Sequence, residues 1–326
     1  MKKTLLLLTC AATLMTACTK TNVTDDLALE NDPAAQLGGR HCASQEVLKR
    51  QLEEDPGLAA RMNAIEDFTK RFAENPEAFR LVNGVYEIPV VVNVLYRTSA
   101  ENVSDAQIAS QITVLNNDFQ ATNSDYNLTP SIFQTLRSGN TNIRFVLDQV
   151  VRKSTTKSSW RTNDDMKKSN RGGISPTSPT TKINLWVCNL SGGILGYAQF
   201  PGGSSATDGV VIDNNAFGTT GSATAPFNKG RTATHEVGHW LNLRHIWGDA
   251  TCGNDQVGDT PLHNTANYGC PTYPHRSTCS GTPVEMTMNY MDYTDDACMY
   301  MFTAGQKTRM LATFASGGPR NSFAQP

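Results

Sequence analysis

The chain has little histidine and no excess of either charge. Its 326 residues include only six histidines, and 28 Lys and Arg stand against 30 Asp and Glu, leaving a net charge of −2 and a pI near 6.3. That balance excludes the basic surface needed to hold nucleic acid or an anionic membrane. Past the N-terminus no apolar run is long enough to span a bilayer. No glycan- or phosphate-binding motif stands out either. At this length the chain can hold one sizeable domain and an accessory segment.

One concentrated apolar stretch lies at the start. Lys2 and Lys3 precede Leu5 to Leu8, and Leu14-Met15-Thr16-Ala17-Cys18 follows. This pattern is a secretory signal, to be set aside from fold reasoning. Its end resembles a bacterial lipobox, with residues 1–17 removed and Cys18 lipidated as the first mature residue. An ordinary signal with an incidental cysteine is the alternative. Residues 19–38 are polar and acidic, a tether. Six further cysteines remain outside the signal and the anchor: Cys42, Cys188, Cys252, Cys270, Cys279 and Cys298. The last four fall in a loop-rich region with little apolar periodicity, where two disulfides would staple a subdomain too small to hold itself by burial. Sequence allows three pairings. Cys188 lies in an apolar run and is expected to be a buried free thiol.

Three of the six histidines lie between residues 235 and 245. His235 and His239 are four apart and project from one face of a helix, so two imidazole nitrogens can share one small cation. The helix must then end for His245 to return to the same ion. Three neutral imidazoles with one open position describe a catalytic zinc site rather than a closed structural one. Glu236 adjoins the first ligand and can reach a metal-associated water without ligating the ion, as a general base does. The stretch resembles the metzincin signature, and its details resemble the pappalysins, the M43 family of metalloproteases. Asn289-Tyr290-Met291-Asp292-Tyr293 resembles the family's Met-turn and following tyrosine, and Phe302-Thr303-x-Gly305-Gln306 the opening of its C-terminal helix. Asn242 stands where the signature has glycine. Asparagine also enters the positive-φ region readily, so an intact turn is expected.

The resemblance implies a metzincin-type α/β fold. Residues 81–245 would be an upper subdomain with a mixed twisted sheet, helices and the active-site helix. Residues 246–326 would be an irregular lower subdomain, stapled by Cys252–Cys279 and Cys270–Cys298 and ending in a helix. It further implies a Met291 floor beneath the ligands, a Tyr293 hydroxyl for the oxyanion, and a preference for arginine at P1′. Asp295 and Asp296 are both candidates for the carboxylate behind that preference. Calcium is implied in the loop after His245, with Asp255, Asp259 and Thr260 as candidate ligands. These are oxygen-bearing side chains on a glycine-rich loop, suited to a hard cation; a solvated acidic loop is the alternative. Residues 18–80 would be a tether and helical pro-segment. Cys42 could then fill the open zinc position in a latent form, as thiolate is a strong zinc ligand, although pro-segment carboxylates could serve instead. His263 and His275 lie outside the zinc spacing and are expected at the surface.

The remaining pattern supplies the elements. Residues 44–75 carry helical patterns, broken at Asp55-Pro56-Gly57, with Leu58, Met62, Ile65 and Phe68 at helical spacing before Glu74-Asn75-Pro76, and they are too thinly apolar to form a core. Tyr86 to Tyr96 is a β-branched strand, with Pro89 suited to its start. Ser104 N-caps a helix whose face is Ile108, Ile112, Leu115 and Phe119. Strands are expected at Ile143–Leu147, Ile183–Val187 and Asp208–Ile212, and Gly196 to Gly202 resembles the family's edge strand on the cleft rim, which could pair with an extended peptide. Residues 153–181 are expected to be mainly exposed loop.

Together these features describe an exported zymogen-type zinc endopeptidase, acting on protein or peptide substrates as a monomer and held to a membrane only by its lipid anchor. It would sit on the outer membrane, facing the periplasm or the cell surface, and could be released by its own cleavage before Arg71 or Arg80. A tethered metal-binding protein without activity is the principal alternative, and a zinc hydrolase of a non-peptide bond is another.

Overall fold

The computed structural model describes residues 39–75 and 84–324. The signal, Cys18, the tether to residue 38 and Arg80 lie outside them. Among the described residues no helix is long and apolar enough to cross a membrane.

Five strands form one mixed sheet in the order β2-β1-β3-β5-β4. They are β1 (Tyr86–Tyr96), β2 (Ile143–Ser154), β3 (Ile183–Cys188), β4 (Gly196–Ala198) and β5 (Val210–Asp213). All neighbours run parallel except β4, which lies antiparallel to β5 at the rim. Alternation separates two cores. Ile88, Val90, Val92 and Val94 face helices α3 (Asp105–Phe119) and α4 (Arg231–Trp240), while Leu95, Trp186, Tyr197 and Val211 face the other way. Pro89 is tolerated because β3 joins β1 only from Val90 onward, leaving the strand's start paired on one side. Edge strand β2 runs longer than expected and carries Asp148, Arg152 and Lys153, charges that suit an unpaired edge.

The 153–181 stretch is mainly loop and largely exposed, as expected, but it also carries buried anchors. Trp160, Met166 and Ile174 are buried in the second core, and Asp164 and Lys167 are buried as an ion pair at 2.9 Å. Its polar composition hid a few anchors spaced too irregularly to show a period.

Helices α1 (Ser44–Glu54) and α2 (Leu58–Glu74) break at Asp55-Pro56-Gly57 as expected and pack on the remainder. Val47 of α1 enters the second core, and Phe72 of α2 meets Ala312 and Ala315 at the end of α5 (Ala304–Phe314). Ser104 caps α3 by accepting from the Gln107 amide at 3.1 Å.

Helix α5 starts with a capping box. The Thr303 hydroxyl accepts from the Gln306 amide at 3.1 Å, and the Gln306 side chain accepts from the Thr303 amide at 2.9 Å. Gln306 also exchanges two amide bonds with Asn289, at 2.8 and 2.9 Å, and so ties the helix start to the Met-turn. Disulfides Cys252–Cys279 and Cys270–Cys298 are formed, and Cys188 is a buried free thiol. Replacing Thr303 with valine removes the cap and the hydroxyl's bond to Asp259. The expected cost is about 1 to 2 kcal/mol, read by differential scanning calorimetry as a melting point lower by roughly 2–8 °C. An unchanged melting point would show that the box does not anchor the lower subdomain.

Candidate metal centre and active site

Every residue of α4 is buried. The helix presents His235 and His239 one turn apart, and it stops because Asn242 takes φ 71°, the value its glycine-like position requires. The Leu243 amide then bonds back to the Gly238 carbonyl at 2.9 Å, and His245 returns beneath the helix.

The three Nε2 atoms converge, with His239 lying 3.2 Å from His235 and 3.1 Å from His245. Ligands about 2.0–2.1 Å from one tetrahedral zinc would stand roughly 3.4 Å apart, so the spacing fits the ion. Each Nδ1 faces an acceptor: the Tyr290 carbonyl for His235 (2.7 Å), the Leu243 carbonyl for His239 (2.8 Å) and Asp249 for His245 (2.5 Å). A proton held on Nδ1 leaves the Nε2 lone pair for a metal. Burial supports the neutral form, pushing His239 down to about 3 and His235 well below the ordinary histidine range.

Cys42 completes the cluster. Its Sγ and the three histidine nitrogens all lie within 4.8 Å of one another, the one such group among the described residues. The thiol also lies 3.3 Å from Glu236 Oε2, which accepts from the Ser44 hydroxyl at 2.9 Å. Burial pushes the Glu236 carboxyl up to about 7, against the lowering effect of these two bonds. Residues 41–44 lie along the rim strand. Cys42 forms a parallel bridge with Gly196, the Leu195 amide donates to the His41 carbonyl at 2.9 Å, and the Ala43 amide donates to Gly196 at 3.0 Å. The Tyr293 hydroxyl, whose ring lies beside those of His235 and His245, donates to the Cys42 carbonyl at 3.0 Å.

Two glycines make room for these contacts. An ideal Cβ on Gly238 would come within 2.5 Å of Met291 Sδ, and one on Gly196 within 3.2 Å of Glu236 Oε1. Met291 thus lies directly under the helix turn that carries the histidines.

Other residues were not visible in the sequence pattern. Arg40 is buried with its guanidinium 2.6 Å from Asp296, and it donates to the Thr294 carbonyl (3.2 Å) and the Thr232 hydroxyl (3.0 Å). Asp296 is itself positioned by the amides of Lys229 and Arg231 at the start of α4. Ser44 was legible only as a helix start, and Arg40 only as a neighbour of Cys42. Asp249, four residues after His245, is the one such residue whose spacing could have marked it.

His263 corrects an expectation. It is fully buried rather than at the surface, because its Nε2 accepts from the Met286 amide at 2.9 Å and its ring lies among Asn267, Glu285 and Asp292. His275 is half-exposed, as expected. Of the loop residues, Asp255 accepts from the Thr260 hydroxyl at 2.9 and 3.0 Å, whereas Asp259 binds the Thr303 hydroxyl and the Gly305 amide of α5.

Replacing Gly238 with alanine should displace Met291, costing about 1–3 kcal/mol from overpacking. Zinc affinity, followed by competition with a chromogenic chelator, should fall with it, since the helix turn bearing both histidines must shift. Unchanged affinity would separate the Met291 floor from ligand placement.

Comparisons with known proteins agree with this geometry. Residues 178–315 match the peptidase M43 family, described as pregnancy-associated plasma protein-A. An extracellular metalloprotease of Verticillium alfalfae is 32% identical over 85% of this chain and 91% of its own length. Tannerella forsythia mature mirolysin, solved with a cleaved peptide, is 47% identical and superposes with a TM-score of 0.71 over 74% of this chain and 96% of its own. A promirolysin mutant from the same organism is 43% identical, with a TM-score of 0.79 over 87% of this chain and 97% of its own. With these matches across the fold, and three buried histidines converging on one point, the chain belongs to the M43 pappalysin family and is a zinc metalloprotease.

Proposed function

We propose that the protein is an exported zinc endopeptidase captured in its latent form, with residues 39–75 as the inhibitory pro-segment. The observation that carries this reading is Cys42, which stands with the three histidines and against Glu236. Promirolysin matches more of this chain than mature mirolysin does, and the margin is close to the size of residues 39–75. The relatives named as extracellular metalloproteases support export. Lipidation at Cys18 remains part of the proposal.

His235, His239 and His245 would hold the ion, and Cys42 would occupy its fourth position until the segment leaves. Bound zinc supplies Lewis-acid chemistry, polarising the scissile carbonyl and acidifying water. Glu236 accepts the proton of the attacking water and returns it to the leaving amine. Tyr293, released from the Cys42 carbonyl, donates to the developing oxyanion. The rim strand β4, vacated by residues 41–44, pairs with the main chain of the substrate.

Asp296 is the carboxylate we assign to P1′ recognition, with Arg40 filling its pocket in the latent chain. Three features fit an arginine there: a buried carboxylate, a carbonyl and a hydroxyl, all within reach of one guanidinium. Self-cleavage would then occur before an arginine. Arg71 lies in the last turn of α2, so a cut there requires that turn to unwind, and Arg80 lies outside the described residues.

Calcium is a second proposed ion, on Asp255 and Thr260. Burial pushes the Asp255 carboxyl up to about 6, and a divalent cation would stabilise its ionised form. Asp259, a further candidate, bonds to α5.

Full-length protein and its Glu236→Ala variant, incubated with zinc and compared by mass spectrometry, should differ in that only the first trims its own N-terminus. Cys42→Ala should shorten the lag before cleavage, and Asp296→Asn should lower kcat/KM for arginine at P1′ by a hundredfold or more. Trimming by Glu236→Ala at the wild-type rate would sink the catalytic assignment. Calcium should raise the melting temperature of the wild type and leave that of Asp255→Asn unmoved.

A further inference from the structure

One acidic side chain of α2 enters a site on the turn between His239 and His245. Glu66 Oε1 accepts from Arg309 and from Asn242 Nδ2 (3.4 Å), and it lies 3.9 Å from the Arg244 guanidinium. Among the described residues it is the carboxylate paired with either arginine. Arg309 is buried, and it is held independently of Glu66 because its Nε donates to the Asn242 carbonyl at 2.6 Å. The positive φ of Asn242 lets one residue offer its carbonyl to Arg309 and its side-chain amide to Glu66. Farther along α2, Phe68 and Phe72 pack with Leu311, Ala312 and Ala315.

We propose that Asn242, Arg244 and Arg309 form a carboxylate-binding exosite, filled by Glu66 in the latent chain and, after α2 is removed, by an acidic side chain of a protein substrate. This rests on the reading of residues 39–75 as a pro-segment. The argument is one of charge and geometry. Removing α2 takes away the carboxylate paired directly with both guanidiniums, leaving Asp249 and Asp255 to act on Arg244 and Arg309 only at longer range, and it leaves the bond between Arg309 and the turn that orients the receptor. Charge-assisted donors fixed in this way bind a carboxylate better than mobile surface lysines do. The site sits on the chain that joins two metal ligands, so an acidic residue anchored there would hold a substrate close to the cleft. Glycine at position 242 would supply the turn but not the third donor.

The test has two arms. In full-length protein, hydrogen exchange across residues 58–74 should rise at least tenfold in Glu66→Gln while α1 keeps its protection. This arm needs neither processing nor activity. In self-processed protein, a fluorescein-labelled peptide of residues 58–75 should bind by anisotropy at least tenfold more tightly than the same peptide carrying Glu66→Gln. Arg244→Gln should erase most of that difference. Equal exchange in the first arm, or equal binding of the two peptides in the second, overturns the exosite. Hydrolysis of a short arginine peptide by the same preparation is scored separately. Hydrolysis without discrimination refutes the exosite alone, whereas discrimination without hydrolysis supports it and refutes the preference for arginine at P1′.

Discussion

The structure depends on keeping three imidazoles neutral and aimed at one point inside a buried pocket. Their nitrogen lone pairs repel one another at 3.1–3.2 Å unless a cation stands between them. Nothing in the imidazoles themselves fixes the rings, so neighbouring groups must. Two backbone carbonyls and Asp249 hold the Nδ1 protons. Met291 fills the space under Gly238, and Asn289 ties that turn to the cap of α5. Each support comes from a different part of the chain, which explains why an irregular lower subdomain with two disulfides lies beneath the helix. It serves as a bracket for ligand geometry as well as a covering for the core.

The N-terminal segment presses on this bracket with little apolar surface of its own. Its hold comes from ion pairs at intervals: Arg40 with Asp296, Arg50 with Asp164, and Glu66 with Arg309. All six side chains are largely removed from solvent, so breaking any pair strands a charge in a desolvated place. Burial raises the Asp164 carboxyl, and the cations of Lys167 and Arg50 more than offset it, leaving the group below the ordinary aspartate range. Between the first two pairs, Cys42 and Ser44 occupy the metal pocket and Glu236. The segment thus engages the histidine cluster, Glu236 and Tyr293 by side chains and backbone within a few residues.

The legible part of this arrangement is local. Helix spacing placed His235 and His239, the N-cap Ser104 placed the start of α3, and Asp55-Pro56-Gly57 placed the break between α1 and α2. These signals need only a few residues of context. The resemblance then supplied the disulfide pairing, which spacing alone left open. What could not be read depends on distant partners. Arg40 and Asp296 are 256 residues apart, and an isolated arginine in a polar stretch does not announce a buried carboxylate. His263 misled for the same reason, because the amide that satisfies it belongs to Met286. Residues 153–181 hid their anchors through composition, since six buried residues among many exposed polar ones leave no period to detect.

Asn242 shows how a local departure can carry a long-range consequence. Glycine would enter its conformation without strain, and asparagine does so at a modest cost. What the substitution adds is an amide at the outer side of the turn, and that amide meets Glu66. None of the bonds that orient the three imidazoles comes from residues 39–75, so loss of that segment leaves the ligands aimed as they are. The contacts that change are at Glu236, Tyr293, Asp296 and the Asn242 turn. On the latent-form reading, activation therefore uncovers a metal centre already assembled, and the segment's departure frees recognition groups without any ligand having to move. The rigid part of the site is encoded in the catalytic portion, and the removable part only in the contacts that cover it.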